Sequence, residues 1–305
     1  MIVKILNIIL LLFIPFLMIG IIRKTKAFWG GRYGASIFQP FWDFIKLMKK
    51  QSIFSSSTTS LFKIAPSISL ACVVFASLFI PMVQGESIIN IQGGLIIFSY
   101  ALGLSKFISL LASMETASSF EGMGCSREAC FTSIIEPAFF ILMGSIMAIT
   151  KIFTFDSLNN IVSASGNIGY LIIIFAVVAL FIMLLTEGSR VPVDDPATHL
   201  ELTMIHEVMI LDNCSQELAL ITWASGAKMF LISSIIATML IPANLSLWAS
   251  IGAFLGVILL ISILIGTIES AIARFRMSHV FEFVFVMSSL SLVVASLVAV
   301  KMFGV

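Results

Sequence analysis

The chain of 305 residues is 59% hydrophobic and only 11% charged, with a mean hydropathy of +1.12. Soluble domains carry about a quarter charged residues, so this composition excludes a soluble globular protein and describes a polytopic membrane protein. The net charge of +1 leaves no electrostatic footprint for nucleic acid. Four cysteines, Cys72, Cys125, Cys130 and Cys214, show no C-x-x-C spacing. A zinc ion or iron–sulfur cluster held by this chain is therefore not expected, and any redox centre belongs to a partner.

In chain order, apolar runs long enough to cross a bilayer fall at about 2–22, 64–84, 91–113, 129–150, 168–187, 217–242, 246–270 and 280–303. The expected fold is all-α: a single integral membrane domain over 1–305, with about eight transmembrane helices and amphipathic interfacial helices beside them. The first run is too long for a signal peptide and lacks a small-residue cleavage site, so it reads as the first helix. Polar loops are expected at about 23–63, 113–128, 187–217 and 271–279. These loops, after the odd-numbered helices, hold twelve basic residues, from Arg23 to Arg276, whereas the opposite side holds only Lys4, Lys151 and Lys301. That asymmetry predicts cytoplasmic odd loops and both termini outside.

The first loop reads GGRYGASIFQPFWDFIKLMKKQSIF. Phe41, Phe44, Ile45 and Met48 share one helical stripe, opposite Asp43, Lys46 and Lys50, with Trp29 and Trp42 suited to headgroup depth. A basic amphipathic helix in the interface plane accounts for this pattern. Lys106, in the third span, and Lys228, about three turns into the sixth, are costly in hydrocarbon unless they face protein or water. The loop after the third span, METASSFEGMGCSREACF, holds two glycines that do not form a phosphate cradle, because no strand precedes them. Glu136 falls in the helix that follows, where an unpaired carboxylate can carry a proton or make a local structural bond near Arg127.

The longest polar interval is TEGSRVPVDDPATHLELTMIHEVMILDNCS, 186–215. Asp195 followed by Pro196 predicts a helix N-cap and first turn. Leu202, Ile205, Val208 and Met209 recur at steps of 3 and 4, so a short amphipathic helix is expected, with His199, Thr203, His206 and Glu207 on its other face. From Glu187 to Glu217 seven acids face one base, Arg190. Such a surface suits docking and proton handling rather than lipid headgroups, which need lysines and arginines. His199 can relay protons at neutral pH. HEVMI lacks the second histidine of HExxH, and two histidines without a placed third ligand make a metal site unexpected. The seventh span ends GTIESAIARFRM, with Glu269 followed by Arg274 and Arg276.

The phrase GSRVPVDDPATHLELTMIHEVMI resembles the signature loop of the complex I subunit 1 family, and in particular the membrane subunit of energy-converting group 4 nickel–iron hydrogenases and formate hydrogenlyases. Three further blocks follow in family order. Arg32, Gly34, Gln39, Asp43 and Lys46 match an Arg-x-Gly-Pro turn followed by Gln and Asp-x-x-Lys, with Ala35 where proline is usual. Gly122, Gly124, Ser126, Arg127, Glu128, Ala129, Glu136 and Pro137 resemble the hydrogenase-type Gly-x-Gly-x-Ser-Arg-Glu-Ala block and its Glu-Pro pair. Glu269, Arg274 and Arg276 are similar to the family's glutamate and arginines. Where many relatives carry Glu-x-Glu-x-Glu, this chain has Ala197, His199 and Glu201.

The resemblance implies a membrane-anchor and ion-coupling subunit. Its expected proton path uses Glu136, Glu187, Glu201, Glu269, Lys106, Lys228 and His199, with the four glutamates forming one cluster. A peripheral arm is expected to dock on Arg32, Gln39, Asp43, Lys46, Arg127, Glu128, Arg190, Asp194, Asp195, Glu207, Arg274 and Arg276. The implied partners are hydrogenase large and small subunits, a ferredoxin-like iron–sulfur subunit and antiporter-like membrane subunits. These would carry the nickel–iron centre and the clusters, and this chain would bind no cofactor. Three alternatives stand beside this reading: a quinone-binding subunit of a complex I-like dehydrogenase, a stand-alone ion transporter and a purely structural anchor. A transporter predicts internal repeats and broken helices, and the sequence has neither. Phe28, Trp29, Phe38, Phe41 and Trp42 crowd the first loop and are expected to plug any quinone channel there.

Overall fold

A computed structural model describes residues 2–55, 58–83, 85, 87–161, 166–195, 204–242 and 245–303. Its helices are α1 (Ile2–Trp29), α2 (Gln39–Met48), α3 (Ser60–Ser77), α4 (Gly94–Glu115), α5 (Ser119–Thr150), α6 (Asn167–Glu187), α7 (Ser215–Leu240), α8 (Leu247–Ala271) and α9 (Met277–Phe303). Short 3-10 turns at Phe155–Asn160 and Glu207–Ile210 complete the described elements. Eight of these helices are long and apolar enough to cross a membrane, and α2 is the ninth, too short to do so. The all-α, eight-span expectation holds, and the chain is a multi-pass membrane protein.

Helix α7 stands at the centre. Two thirds of its apolar window is buried inside the bundle, more than for any other span. It packs on α1, α2, α3, α6 and α8, while α9 lies across α5 and α6, and α3 pairs with α4. The core is one continuous apolar cluster that runs from Leu10 on α1 to Val298 on α9. Prolines inside α1, α3 and α5 (Pro15, Pro66, Pro137) interrupt no helix. Neighbouring helices let membrane bundles tolerate them.

Two boundaries differ from the sequence reading. The second span was expected at about 64–84, yet α3 ends at Ser77. Pro81 lacks an N–H and disfavours helix at the residue before it, so the chain leaves the helix there. The polar loop expected over 113–128, after the third span, shrinks to residues 116–118, and α5 begins at Ser119. The glycines and charges of that block are helical, and the turn is made by Ala117 with φ +54°. Likewise α1 continues through Arg23–Trp29, residues assigned from sequence to the first loop.

Successive spans alternate in direction, so the long polar segments gather at one end, the polar end. The Asp194 carboxylate meets Arg274 there at 3.2 Å, and Phe275 N–H donates to Pro192 O at 3.0 Å. Gln216 Nε2 donates to Lys50 O at 3.0 Å and Ser52 Oγ to Glu217 Oε2 at 3.1 Å. At the other end Lys4 Nζ donates to Ile88 O, and Asn90 Nδ2 donates to Asp156.

Helix α2 lies against the bundle with Phe41, Phe44 and Ile45 of its predicted stripe half-buried and Met48 exposed. Phe44 packs on Phe16 and on Trp223, with centroids 5.3 and 5.5 Å apart, and Phe41 meets Phe16 at 5.7 Å. Pro40 near its N-terminus is buried, which suits a position where no N–H is needed.

Candidate functional site

The described residues hold their most unusual chemistry inside the bundle, just beneath the polar end. Lys106 on α4 is only 8% exposed. A lysine at the bilayer centre costs about 2.5–3.5 kcal/mol on insertion scales unless it is paired. Its Nζ lies 2.5 Å from Glu187 Oε1, at the end of α6, and 3.0 Å from Glu128 Oε1 on α5. Three helices thus contribute one side chain each to a buried lysine–dicarboxylate triad. Lys228 on α7 and His206 line the same small cavity of about 30 Å³, with Ser69, Ser109 and Ser225. Ser69 and Ser105 hydroxyls share a hydrogen bond at 2.7 Å, and Ser109 donates to Ser69 at 3.5 Å. A polar cavity of this size has room for a water molecule with several partners. Two lysines and two glutamates make a charge-balanced quartet, in which a proton can be held or passed with modest charge movement.

A second ionic group holds the loop after α6. Arg190 Nη1 lies 3.3 Å from Glu269 Oε1 on α8, and Lys26 Nζ lies 3.6 Å from Glu269 Oε2 and 3.5 Å from Asp195. The close approach of α1 and α8 brings Lys26 there, and Gly266 permits it, because a Cβ would collide with Thr25 Oγ1. Asp194 is 1% exposed. Its carboxylate accepts from Ile205 N–H at 3.2 Å, from His206 N–H at 3.0 Å and from Asp195 N–H at 3.0 Å, besides pairing with Arg274. One side chain therefore ties both flanks of 196–203 together.

The loop's return lies on α5. Arg127 Nη1 donates to Met204 O at 3.0 Å, and Glu121 Oε1 accepts from Asp212 N–H at 3.1 Å. Gly124 is the seat, since a Cβ there would run into Val208 and the Ile205 carbonyl. Met204, Ile205, Val208 and Met209 are buried, as the apolar stripe requires. The described part of the expected amphipathic helix is a single 3-10 turn, Glu207–Ile210, anchored by these side chains. Pro196, His199, Glu201 and Thr203 lie outside the described residues.

Of the four glutamates expected in one cluster, Glu201 lies outside the described residues and the other three have different neighbours. Glu187 joins Lys106 and Glu128, whereas Glu269 joins Arg190 and Lys26. Glu136 is exposed on α5, with its carboxyl beside α4, where a Cβ on Gly103 would meet Oε1 at 3.6 Å. The reason is register: α5 turns Glu128 and Ile135 inward, which leaves Glu136 and Pro137 outward. The docking set divides as well. Arg32, Lys46 and Arg276 are exposed, and Gln39, Asp43, Arg127, Asp195, Glu207 and Arg274 are half-buried. Glu128, Arg190 and Asp194 instead turn inward and make internal ion pairs. Asp43 is itself engaged, accepting from Gln39 at 2.7 Å and lying 3.6 Å from Arg23. The pairing of Lys106 with Glu128, the role of Lys26 and the serines beside the triad escaped the sequence reading.

Beneath α2 a cavity of about 670 Å³ is open between α1, α2, α7 and residues 188–190 and 206–210. The aromatic plug expected from the first loop is absent. Phe28, Trp29, Phe38 and Trp42 are 54–77% exposed and point away, and Phe41 packs on Phe16 outside the cavity wall. The rings that line it are Phe16 and Phe44.

The chain has relatives that share this architecture. Hydrogenase-4 component C of Escherichia coli K12 is 26% identical over 276 residues, 88% of this chain and 86% of that protein. Formate hydrogenlyase subunit 4 of the same organism is 28% identical over 121 residues, 40% of this chain and 39% of its own. A chain of the membrane-bound sulfane sulfur reductase, an archaeal respiratory membrane complex, superposes with a TM-score of 0.82 over 96% of this chain and 97% of its own. At 18% identity that likeness speaks to the fold alone. The description NADH dehydrogenase belongs to a family model that matches residues 2–300. A match over nearly the whole chain, with the motif loops gathered at one end of eight spans, makes this protein a member of the NADH dehydrogenase family, that of complex I subunit 1.

Proposed function

We propose that the chain is the membrane-anchor and ion-coupling subunit of a group 4 hydrogenase-type assembly related to complex I. The observation that carries this reading is the buried triad of Lys106, Glu128 and Glu187, with Lys228 beside it, directly under the polar end. Charges so costly in a membrane interior mark ion pathways by default. The relatives named as hydrogenase-4 and formate hydrogenlyase components favour hydrogenase-type partners. On this reading the arm on the polar end consists of large and small hydrogenase subunits and a ferredoxin-like subunit, which carry the nickel–iron centre and the clusters. The exposed Arg32 and Arg276 contact them. Antiporter-like membrane subunits lie alongside, and Glu136, facing out of α5, passes protons or Na⁺ to them. The excess of basic residues in the loops of the polar end supports a cytoplasmic polar end on this reading, with both termini on the outer side of the cytoplasmic membrane.

Glu187→Gln and Glu128→Gln in the assembled complex test this reading. Ion uptake by inverted vesicles is expected to fall at least about tenfold, while the complex still assembles and keeps its uncoupled redox activity. Normal pumping by both variants would make the triad a structural device only.

The open cavity beneath α2 favours a second reading, a quinone-binding subunit, because an apolar chamber with polar groups at one end suits a quinone. Competitive inhibition of the purified assembly by a quinone analogue would promote it.

A further inference from the structure

The cavity beneath α2 has a mixed lining, apolar at Phe16, Ile19, Phe44 and Ile221 and cationic at Arg23, Lys26, Lys46, Lys50 and Arg190. Arg23 is engaged by Asp43, and Lys26 by Asp195 and Glu269. Lys46 and Lys50 also line the cavity, and among the described residues neither ammonium has a carboxylate partner. Lys46 lies in the last turn of α2 and Lys50 just beyond its C-cap, Lys49. Among the described residues five cations line this space against three carboxylates, Asp43, Glu207 and Glu269, with Asp195 on Lys26 as a fourth. A neutral ligand leaves that imbalance in place. An anion with an apolar tail removes it and meets both kinds of lining.

We propose that this cavity is a binding site for an anionic phospholipid, its phosphate held by Lys46 and Lys50 and the upper part of its chain lying along Phe16, Ile19 and Ile221. Helix α2 rests at the bundle's edge with its aromatic face on α1 and α7, so it sits where a headgroup and its chain part company. Basic pockets between membrane helices hold acidic headgroups in this way. The site is independent of whether the partner assembly is a hydrogenase.

The test uses the purified full chain in neutral detergent, with bound lipid counted by native mass spectrometry. Dioleoyl phosphatidylglycerol, dioleoyl phosphatidylcholine, decylubiquinone and inorganic phosphate are added in separate arms. One phosphatidylglycerol per chain is expected, held about tenfold or more tighter than phosphatidylcholine and not displaced by phosphate. Lys46→Gln with Lys50→Gln abolishes the preference, and Ile221→Trp, which fills the apolar lining and leaves both lysines, lowers retention. Lys49→Gln with Lys63→Gln, at the same end but outside the cavity, changes nothing. Equal binding of both lipids, displacement by decylubiquinone or phosphate, or equal loss in the control variant overturns the proposal.

Discussion

Lys106 and Glu187, 81 residues apart in the chain, meet at 2.5 Å inside the membrane bundle. Glu128 approaches the same ammonium from a third helix at 3.0 Å. An ion pair buried this deeply does not by itself argue for stability, since desolvation offsets most of its attraction. Its partners, however, depend on one another, because the loss of one leaves the rest as bare buried charges.

Lys106→Met should therefore be severe, leaving two carboxylates facing each other in the interior. The expected cost is about 3–5 kcal/mol, read as a lower unfolding midpoint of the purified chain. Adding Glu128→Gln alone to Lys106→Met leaves Glu187 balanced by Lys228 in the same cavity and should recover most of that loss. A double variant no more stable than Lys106→Met would refute the coupling.

Two glycines two residues apart should respond in opposite ways. A Cβ on Gly124 collides with Val208 and the Ile205 carbonyl, while one on Gly122 meets nothing within 4 Å. Gly124→Ala is expected to destabilise by about 1–3 kcal/mol through overpacking. Gly122→Ala, on the exposed face of α5, should be neutral or stabilising by about 0.5–1 kcal/mol, since alanine favours helix. Denaturation of both variants in the same detergent checks the ordering.

The same block shows how far the sequence could be read. Hydropathy located all eight spans, and helical periodicity found the side of α2 that packs on the bundle, because both depend on local pattern. Partnership across helices depends on depth, and depth depends on helix ends. Lys106 lies nine residues before the end of α4 at Glu115, and Glu128 nine after the start of α5 at Ser119, so the two are level. Assigning 113–128 to a loop hid that symmetry, and Glu128 was read as a surface acid. Asp194 escaped for another reason. Its partners are backbone amides of Ile205 and His206 and an arginine 80 residues away, which no periodicity encodes.

Asp194→Asn tests that tether. The carboxylate accepts three backbone N–H bonds and faces Arg274, and bonds to a charged acceptor are worth about 1.5–3 kcal/mol. Neutralising it should speed amide exchange at Ile205 and His206 by about tenfold or more, without changing exchange in α7. Glu282→Gln, an exposed acid paired only with His279 among the described residues, is the matched control and should leave both amides untouched. Unchanged protection in Asp194→Asn would assign the loop's order to its apolar anchors alone.

The last prediction concerns assembly. Arg32, Lys46 and Arg276 are exposed at the polar end, whereas Lys301 is exposed near the end of α9, on the far side of the bundle. Cysteines introduced at Arg32 and Arg276 should react readily with a bulky maleimide in the isolated chain. In the assembled complex they should lose at least about tenfold in rate, because a docking interface excludes the reagent from its buried patch. Lys301→Cys should react equally in both forms, which separates docking from a general change in accessibility. Equal labelling of Arg32→Cys and Arg276→Cys with and without the partner subunits would move the arm off this surface. Protection of Arg276→Cys alone would confine it to the side of α8 and α9.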